Sequence, residues 1–301
     1  MTQEEQYIDK LSNEFIETHK KPQEIETLAQ LNNRESEDIK GYHGREILEL
    51  LQNIDDAFEK KKKENPDIKE TAKAKIDFKN NVLTISNTGT CFDKDGIKSI
   101  CAGNLSTKDS DYLGNKGTGF RSVLNWANKI CIYSGGFNVK FSQEIANTIF
   151  EEIKDEPQIK KNIEYQIKLN KTLYIPILSV PQNTKSIEKN GYDTIIKITI
   201  DEQKNKDDFS VEKQIEIFDF RTLLFLPNIS EILFEIDEKK YQFKKENGSN
   251  STSELQTFSL TNSNNPDIKE TYYFDSTIVP KAVQWNNETK KRDIKIAIAI
   301  P

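Results

Sequence analysis

The stretch Gly114-Asn115-Lys116-Gly117-Thr118-Gly119-Phe120-Arg121-Ser122 constrains this chain more than any other. Three glycines in the pattern G-x-x-G-x-G open directly into a helix-like segment, Phe120 to Ala127. The residues before them, from Gly103 onward, are polar and glycine-punctuated, which suits neither a helix nor a strand. Such a loop frees backbone N–H groups to wrap an anion, and the positive end of the following helix dipole adds to the attraction. Lys116 inside the loop and Lys108 in Ser106-Thr107-Lys108 add charge. No Gly-Lys-Ser/Thr follows, so this is not a P-loop, and the strand and βαβ context of a dinucleotide-binding fold are missing. Taken alone, the pattern also describes a flexible loop.

Two other segments give it company. Gly44 to Lys63 reads as an amphipathic helix, with Ile47, Leu50, Leu51, Ile54, Ala57 and Phe58 on one arc. Glu49, Asn53 and Asp56 fall within about 60° of one another on the opposite arc. A solvated face explains those three residues; so does a carboxylate base beside an oxygen ligand for a hard cation such as Mg²⁺. Periodicity leaves both readings open. Residues 83–92, LTISNTGTCF, then deliver Asn87-Thr88-Gly89 at the end of a strand. There a polar side chain meets a residue without a Cβ, and a flat ligand can approach the backbone, although an ordinary turn looks the same.

Composition removes several classes. The 301 residues carry 43 Lys and Arg against 49 Asp and Glu, a net charge of −6, which argues against a general nucleic-acid surface or a polybasic membrane anchor. No run approaches the ~20 apolar residues of a membrane span, and MTQEEQYIDK lacks the apolar core of a signal peptide. Cys91, Cys101 and Cys131 form no C-x-x-C, and with only His19 and His43 available a histidine-based zinc site or a Ser-His-Asp triad has little to build on. The expectation is a cytoplasmic protein without a protein-bound transition metal.

Hydrophobic spacing predicts further helices over Tyr7 to His19, Glu24 to Leu31, Asp93 to Ala102, Gln143 to Glu156 and Asp208 to Phe220. It predicts strands over Lys75 to Phe78, Val82 to Ser86, Lys129 to Tyr133, Phe137 to Phe141, Leu173 to Val180 and Thr194 to Ile200. Beyond Leu223 the pattern is strand-rich: Ile232 to Ile236, Tyr241 to Lys244, Thr271 to Phe274 and Lys295 to Pro301. Residues 245–265, rich in Ser and Asn, read as an exposed hairpin loop. The last strand is apolar enough to require a partner and a cover, and it leads one to expect that the natural chain continues.

The three segments, in this order, resemble the GHKL or Bergerat-fold ATPases, the group of the ninety-kilodalton heat-shock chaperones, MutL, type II topoisomerases and sensor kinases. Glu49, Asn53, Asp56 and Ala57 match the box E-x-x-x-N-x-x-D-A; Asn87-Thr88-Gly89 stands where the family has D-x-G; Gly114 to Gly119 matches the glycine motif of the ATP lid. Gly191-Tyr192-Asp193-Thr194 before a strand is similar to the family's G-x-x-T element. GREILELLQNIDDAF is most similar to the chaperone branch and, within it, to the sacsin-like ATPases. The resemblance covers roughly residues 40–200, and LLFLPNISEILFEI is similar to the run into the transducer region of those proteins.

The resemblance implies an α+β fold: a two-layer α/β sandwich of Bergerat type, with a mixed sheet, helices on one face and a strand-rich C-terminal part. The implied organisation is a helical extension (1–40), the ATP-binding domain (41–204) and the start of a transducer-like region (205–301). The implied activity is Mg²⁺-dependent ATP binding and slow hydrolysis, with lid closure coupled to conformational change. Glu49 would be the general base and Asn53 the Mg²⁺ ligand. Asp56, Asn87, Gly89, Lys108, Gly114, Lys116, Gly117, Gly119, Phe120 and Thr194 would complete the nucleotide site. Implied partners are ATP, a second copy through the ATPase domain and an unidentified client protein, with neither membrane nor nucleic acid. An ATP-sensing interaction module with little turnover is the alternative. The chain departs from the family in having Asn87 for the usual aspartate and Cys91 for the last glycine of D-x-G-x-G. It also offers no residue for the basic side chain that reaches the γ-phosphate in the chaperone branch.

Overall fold

The computed structural model describes residues 1–41, 43–102, 118–170, 172–206, 208–247, 256–263, 265–282 and 292–300. Three helices come first: α1 (Gln3–His19), α2 (Glu24–Gly41) and α3 (Glu46–Glu64). Thr2 and Glu5 close a reciprocal capping box on α1. The hairpin β1 (Ala72–Lys79) and β2 (Val82–Asn87) turns through Asn80 and Asn81, whose φ angles of 52° and 58° lie in the left-handed backbone region that lets a two-residue turn match the right-handed twist of its strands. Helix α4 (Lys94–Ala102) starts where Asp93 Oδ1 accepts the Gly96 N–H at 2.7 Å. Helix α5 (Thr118–Arg121) is followed by a 3-10 helix (Ser122–Asn125), β3 (Ala127–Ser134) and β4 (Phe137–Ser142). Then come α6 (Gln143–Lys154), α7 (Lys160–Asn170), the short β5 (Gln182–Asn183) and β6 (Thr194–Ile200). The rest holds α8 (Val211–Glu216), a 3-10 helix (Phe220–Phe225), β7 (Ile229–Ile236), β8 (Lys239–Asn247), β9 (Gln256–Asn262), β10 (Asn265–Ala282) and β11 (Arg292–Ile300).

All eleven strands belong to one sheet, in the order β11-β10-β9-β8-β7-β1-β2-β6-β3-β4-β5. Every pairing is antiparallel except β1 with β7. That parallel pair is where the sheet passes, without a break, from the segment before residue 204 to the strands after it. Its register sets Ala74, Ile76 and Phe78 beside Ile232, Phe234 and Ile236, all buried. The inner arc of α3 (Ile47, Leu50, Leu51, Ile54 and Phe58) packs into the same core. The alternate residues face the other way: Lys75 and Lys240 pair with Glu235 there, beside a small cluster of Cys131, Tyr133 and Ile195. The fold is thus mixed α/β, with its main core on one side of a mostly antiparallel sheet. No helix among the described residues is long and apolar enough to cross a membrane.

Several expected elements differ. The helix expected from Phe120 to Ala127 is one α turn followed by a 3-10 helix. Ser122 Oγ donates to Gly119 O at 2.6 Å, competing for the carbonyl that an α-helix would offer to Val123. Leu173 to Val180 is not a strand: Pro176 and Pro181 bracket a 3-10 turn (Ile177–Ser179) buried on all sides. Helix α7 was not anticipated, α2 runs ten residues past Leu31 to Gly41, and Asp208 to Phe220 shrinks to α8 behind its Ser210 cap. In the expected loop 245–265, β8 extends to Asn247 and β9 occupies Gln256–Asn262. Strand β11 does pair with β10, but Ile298 and Ile300 remain more than half exposed.

The end of α1 carries a pH-dependent element. His19 is 4 % exposed, its Nδ1–H donates to Phe15 O at 2.9 Å, and its Nε2 has no hydrogen-bond partner among the described residues. Burial pushes its pKa down, against smaller upward effects from the Phe15 carbonyl and Glu24. The unfolded chain therefore takes up a proton at His19 as pH falls below about 6.5 while the folded chain does not, and stability decreases through that window. His19→Leu should reduce the loss in urea midpoint between pH 7.5 and 5.5; an unchanged loss would assign the effect elsewhere.

Candidate functional site

Helix α3 turns one face to the core and carries a polar stripe on the other. Beyond its apolar arc, Glu46 and Asp55 also point inward and are buried. On the outer stripe, Glu49 is 12 % exposed, Asp56 is half-buried and Asn53 is exposed. Arg45 reaches the Glu49 carboxylate at 3.3 Å. Burial raises the Glu49 pKa, and the Arg45 charge partly opposes that rise.

The end of β2 meets this stripe from the sheet side. Leu83 and Ile85 face the core, so Asn87, two residues on, points into the layer under the helices, where it is 5 % exposed. Register puts Asn87 beside Thr194 of β6, and Thr194 beside Ser134 of β3. These three buried polar side chains form a row across adjacent strands. The hydroxyls of Thr194 and Ser134 are 2.6 Å apart, and Ser134 Oγ accepts the Phe92 N–H at 2.9 Å. The Asn87 amide donates one N–H to Thr88 O at 3.3 Å, and its Oδ1 accepts no hydrogen bond among the described residues.

Gly89 closes the distance to α3. A Cβ there would lie 3.0 Å from Ala57 Cβ and 3.1 Å from the Ala57 carbonyl carbon, and Thr90 N–H donates to Ala57 O at 2.9 Å. The contact needs a residue without a side chain, and it sets the Asn-Thr-Gly turn beside Asp56. Asp193 fixes the turn from behind. Its Oδ2 accepts the Gly89 N–H at 3.0 Å and the Lys61 ammonium at 2.8 Å, while its own N–H donates to Asn87 O at 3.0 Å. Burial would raise the Asp193 pKa, but Lys61, the Gly89 N–H and Lys189 together hold it below the usual range. Cys91 packs on the next turn, where a Cβ on Gly135 would sit 3.2 Å from Cys91 Cβ.

Gly119, the last glycine of the motif, meets α3 nearer its start. A Cβ built on Gly119 would collide with the Glu49 carboxylate, so these two residues touch despite their separation in sequence. Phe120 is 7 % exposed within the main core, so its side chain anchors α5. Arg121 is also buried, pairing with Glu35 of α2 at 3.0 Å and donating to Ile100 O of α4 at 2.9 Å. Lys108, Gly114, Lys116 and Gly117, and with them the expected lid closure, lie outside the described residues. The structure therefore sets Gly119 against Glu49 and Gly89 against Ala57 at two places on α3, with Asn53 and Asp56 between them on the helix and Asn87 beside Thr194 on the sheet.

Sequence reasoning missed Ser134, which falls between two expected strands, and the roles of Glu46, Asp55 and Asp193. The one available signal was polarity at inward-facing positions of α3, which amphipathic counting passes over. Among the described residues no three His, Cys, Asp or Glu side chains cluster as a metal site. No model of a known protein family matches this chain, and no curated protein does either.

Proposed function

We propose that this chain binds ATP with Mg²⁺ and hydrolyses it slowly, as a Bergerat-fold (GHKL) ATPase of the chaperone and sacsin-like branch. The observation that carries the reading is the convergence at α3: Gly119 against the Glu49 carboxylate at one end and Gly89 against Ala57 at the other. Three motifs that are individually ambiguous meet on one helix. A glycine at 119 lets the loop backbone come as close to the Glu49 carboxylate as a side chain would forbid. The mixed sheet with its core on one side supports the Bergerat-type sandwich.

The residues fit the nucleotide and its cation. Asn53 is exposed on the stripe, and its carboxamide makes no hydrogen bond among the described residues, so its oxygen is the group to hold Mg²⁺. Mg²⁺, when bound, neutralises phosphate charge. Glu49 takes the proton of the attacking water, Arg45 orients the carboxylate, and the Asn87–Thr194–Ser134 row receives the base. The reading extends to transient pairing with a second copy and to an unidentified client.

Base selection follows from the Asn87 geometry. With its amide on Thr88 O, Asn87 offers an acceptor, which suits the adenine amine. Putting the amide nitrogen where Oδ1 now stands, as a guanine carbonyl at that position requires, takes a flip that gives up that bond, about 1 kcal/mol or roughly fivefold in affinity. A thermal-shift titration should therefore show a larger Mg²⁺-dependent shift with ATP than with GTP. Equal shifts would remove Asn87 as the selector. No shift with any nucleotide would sink the ATPase reading, whereas a shift without turnover would favour the ATP-sensing module.

A further inference from the structure

Glu46 lies one turn before Glu49 on α3 and is fully buried. Its carboxylate accepts from Gln214 Nε2 at 2.6 Å, Asn125 Nδ2 at 2.8 Å and His43 Nδ1 at 3.3 Å. Asn125 closes the 3-10 helix that continues α5, the element whose Gly119 lies against Glu49. Gln214 comes from α8, far along the chain, and also donates to Phe209 O at 2.8 Å.

The first turn of an α-helix leaves its N–H groups without intrahelical partners. Arg45, at the N-cap of α3, makes no side-chain cap. Gln214 Oε1 takes the place of one, accepting the Ile47 N–H at 3.3 Å. Regular helical bonding begins immediately afterwards, with Glu49 N–H donating to Arg45 O at 2.9 Å. The carboxylate that faces Gly119 therefore stands on a turn held by a side chain of α8.

We propose that Gln214 is a positioning residue for Glu49: through Glu46 and the Ile47 N–H it fixes the start of α3 against α5, so the segment after residue 205 sets the geometry of the catalytic carboxylate. This rests on the reading of Glu49 as the base of an ATPase. Gln214 acts through the helix start and not on the reacting atoms. Its loss leaves Ile47 N–H without a partner and Glu46 with two donors instead of three. The turn then loosens, and Glu49 drifts from Gly119 while Asn53, Asp56 and the base row keep their places.

The test compares Gln214→Ala with Ser210→Ala in the full chain. Ser210 Oγ caps α8 by accepting the Lys213 N–H at 3.3 Å, so its loss destabilises α8 but spares the Gln214 contacts. Single-turnover hydrolysis, the Kd for Mg·ATP and the melting temperature are measured for both, with wild type and Glu49→Ala alongside. Gln214→Ala should lower the rate about tenfold, within the hundredfold that a 1 Å misplacement can cost, and leave Kd within about twofold. Ser210→Ala should lower the melting temperature and hold the rate within about twofold. A Gln214→Ala rate equal to wild type, or an equal loss in Ser210→Ala, would overturn the positioning role and leave the ATPase reading standing. Wild type without Glu49-dependent hydrolysis would overturn both.

Discussion

If the proposed ATPase reading holds, Glu49→Ala should keep a Mg²⁺-dependent ATP melting shift and lower hydrolysis by about 10²–10⁴, the usual contribution of a positioned general base. Binding survives because no proposed nucleotide contact passes through Glu49: the cation falls to Asn53 and the base to Asn87 and Thr194. The carboxylate must be ionised to accept a proton, and burial raises its pKa against the opposing Arg45 charge at 3.3 Å. Activity therefore falls as pH drops through that raised value. Arg45→Met removes the opposing charge, so the acid limb of the rate profile should move to higher pH. Steady-state rates and nucleotide titrations between pH 5 and 9 on roughly half-unit steps would check both statements. Loss of the melting shift in Glu49→Ala would make Glu49 a binding residue.

The elements that carry the candidate site were legible because their local signals are strong. The apolar arc of α3 fixed which residues face outward, so Glu49, Asn53 and Asp56 could be named before their surroundings. The strand pattern of Val82 to Ser86 placed the end of β2 within one residue, and its alternation sets Asn87 on the same face as Leu83 and Ile85. What stayed hidden depends on contacts between distant segments. Nothing local in Ile229–Ile236 announces a parallel pairing with β1, which carries the sheet past the boundary expected at residue 204. Leu173, Ile175, Ile177, Leu178 and Val180 are all buried, and a run apolar on every side has no period to read. The inward Glu46 and Asp55 break the apolar arc, and only the partners Gln214 and Asn228 explain them.

Asp55 anchors the middle of α3 as Glu46 anchors its start, and Asp55→Ala should cost about 3–5 kcal/mol, the range for removing one partner of a buried charged network. Its Oδ1 accepts the Asn228 N–H at 2.8 Å and the Ile229 N–H at 3.3 Å, and its Oδ2 accepts Asn228 Nδ2 at 3.1 Å. Burial raises the Asp55 pKa, and the Asn228 bonds, Lys245 and the Ile229 N–H work against it. The carboxylate is thus a strained presence; its value lies in the donors it satisfies, each of which costs about 1–3 kcal/mol when orphaned. Lys245 adds to the loss. It is 8 % exposed and caps Leu223 O and Leu226 O at 2.9 and 2.6 Å; burial lowers its pKa to about 8, with Asp55 pulling it back up and Lys62 lowering it further. Without Asp55 that ammonium loses its counter-charge. Asp55→Asn keeps one acceptor and should lose about half as much. Urea denaturation with an unchanged m-value would measure both, and a cost for Asp55→Ala below about 1 kcal/mol would show that the start of β7 holds α3 without it. Asn53 and Asp56 flank this anchor on the helix, so the ATP melting shift should weaken in Asp55→Ala even where the protein remains folded.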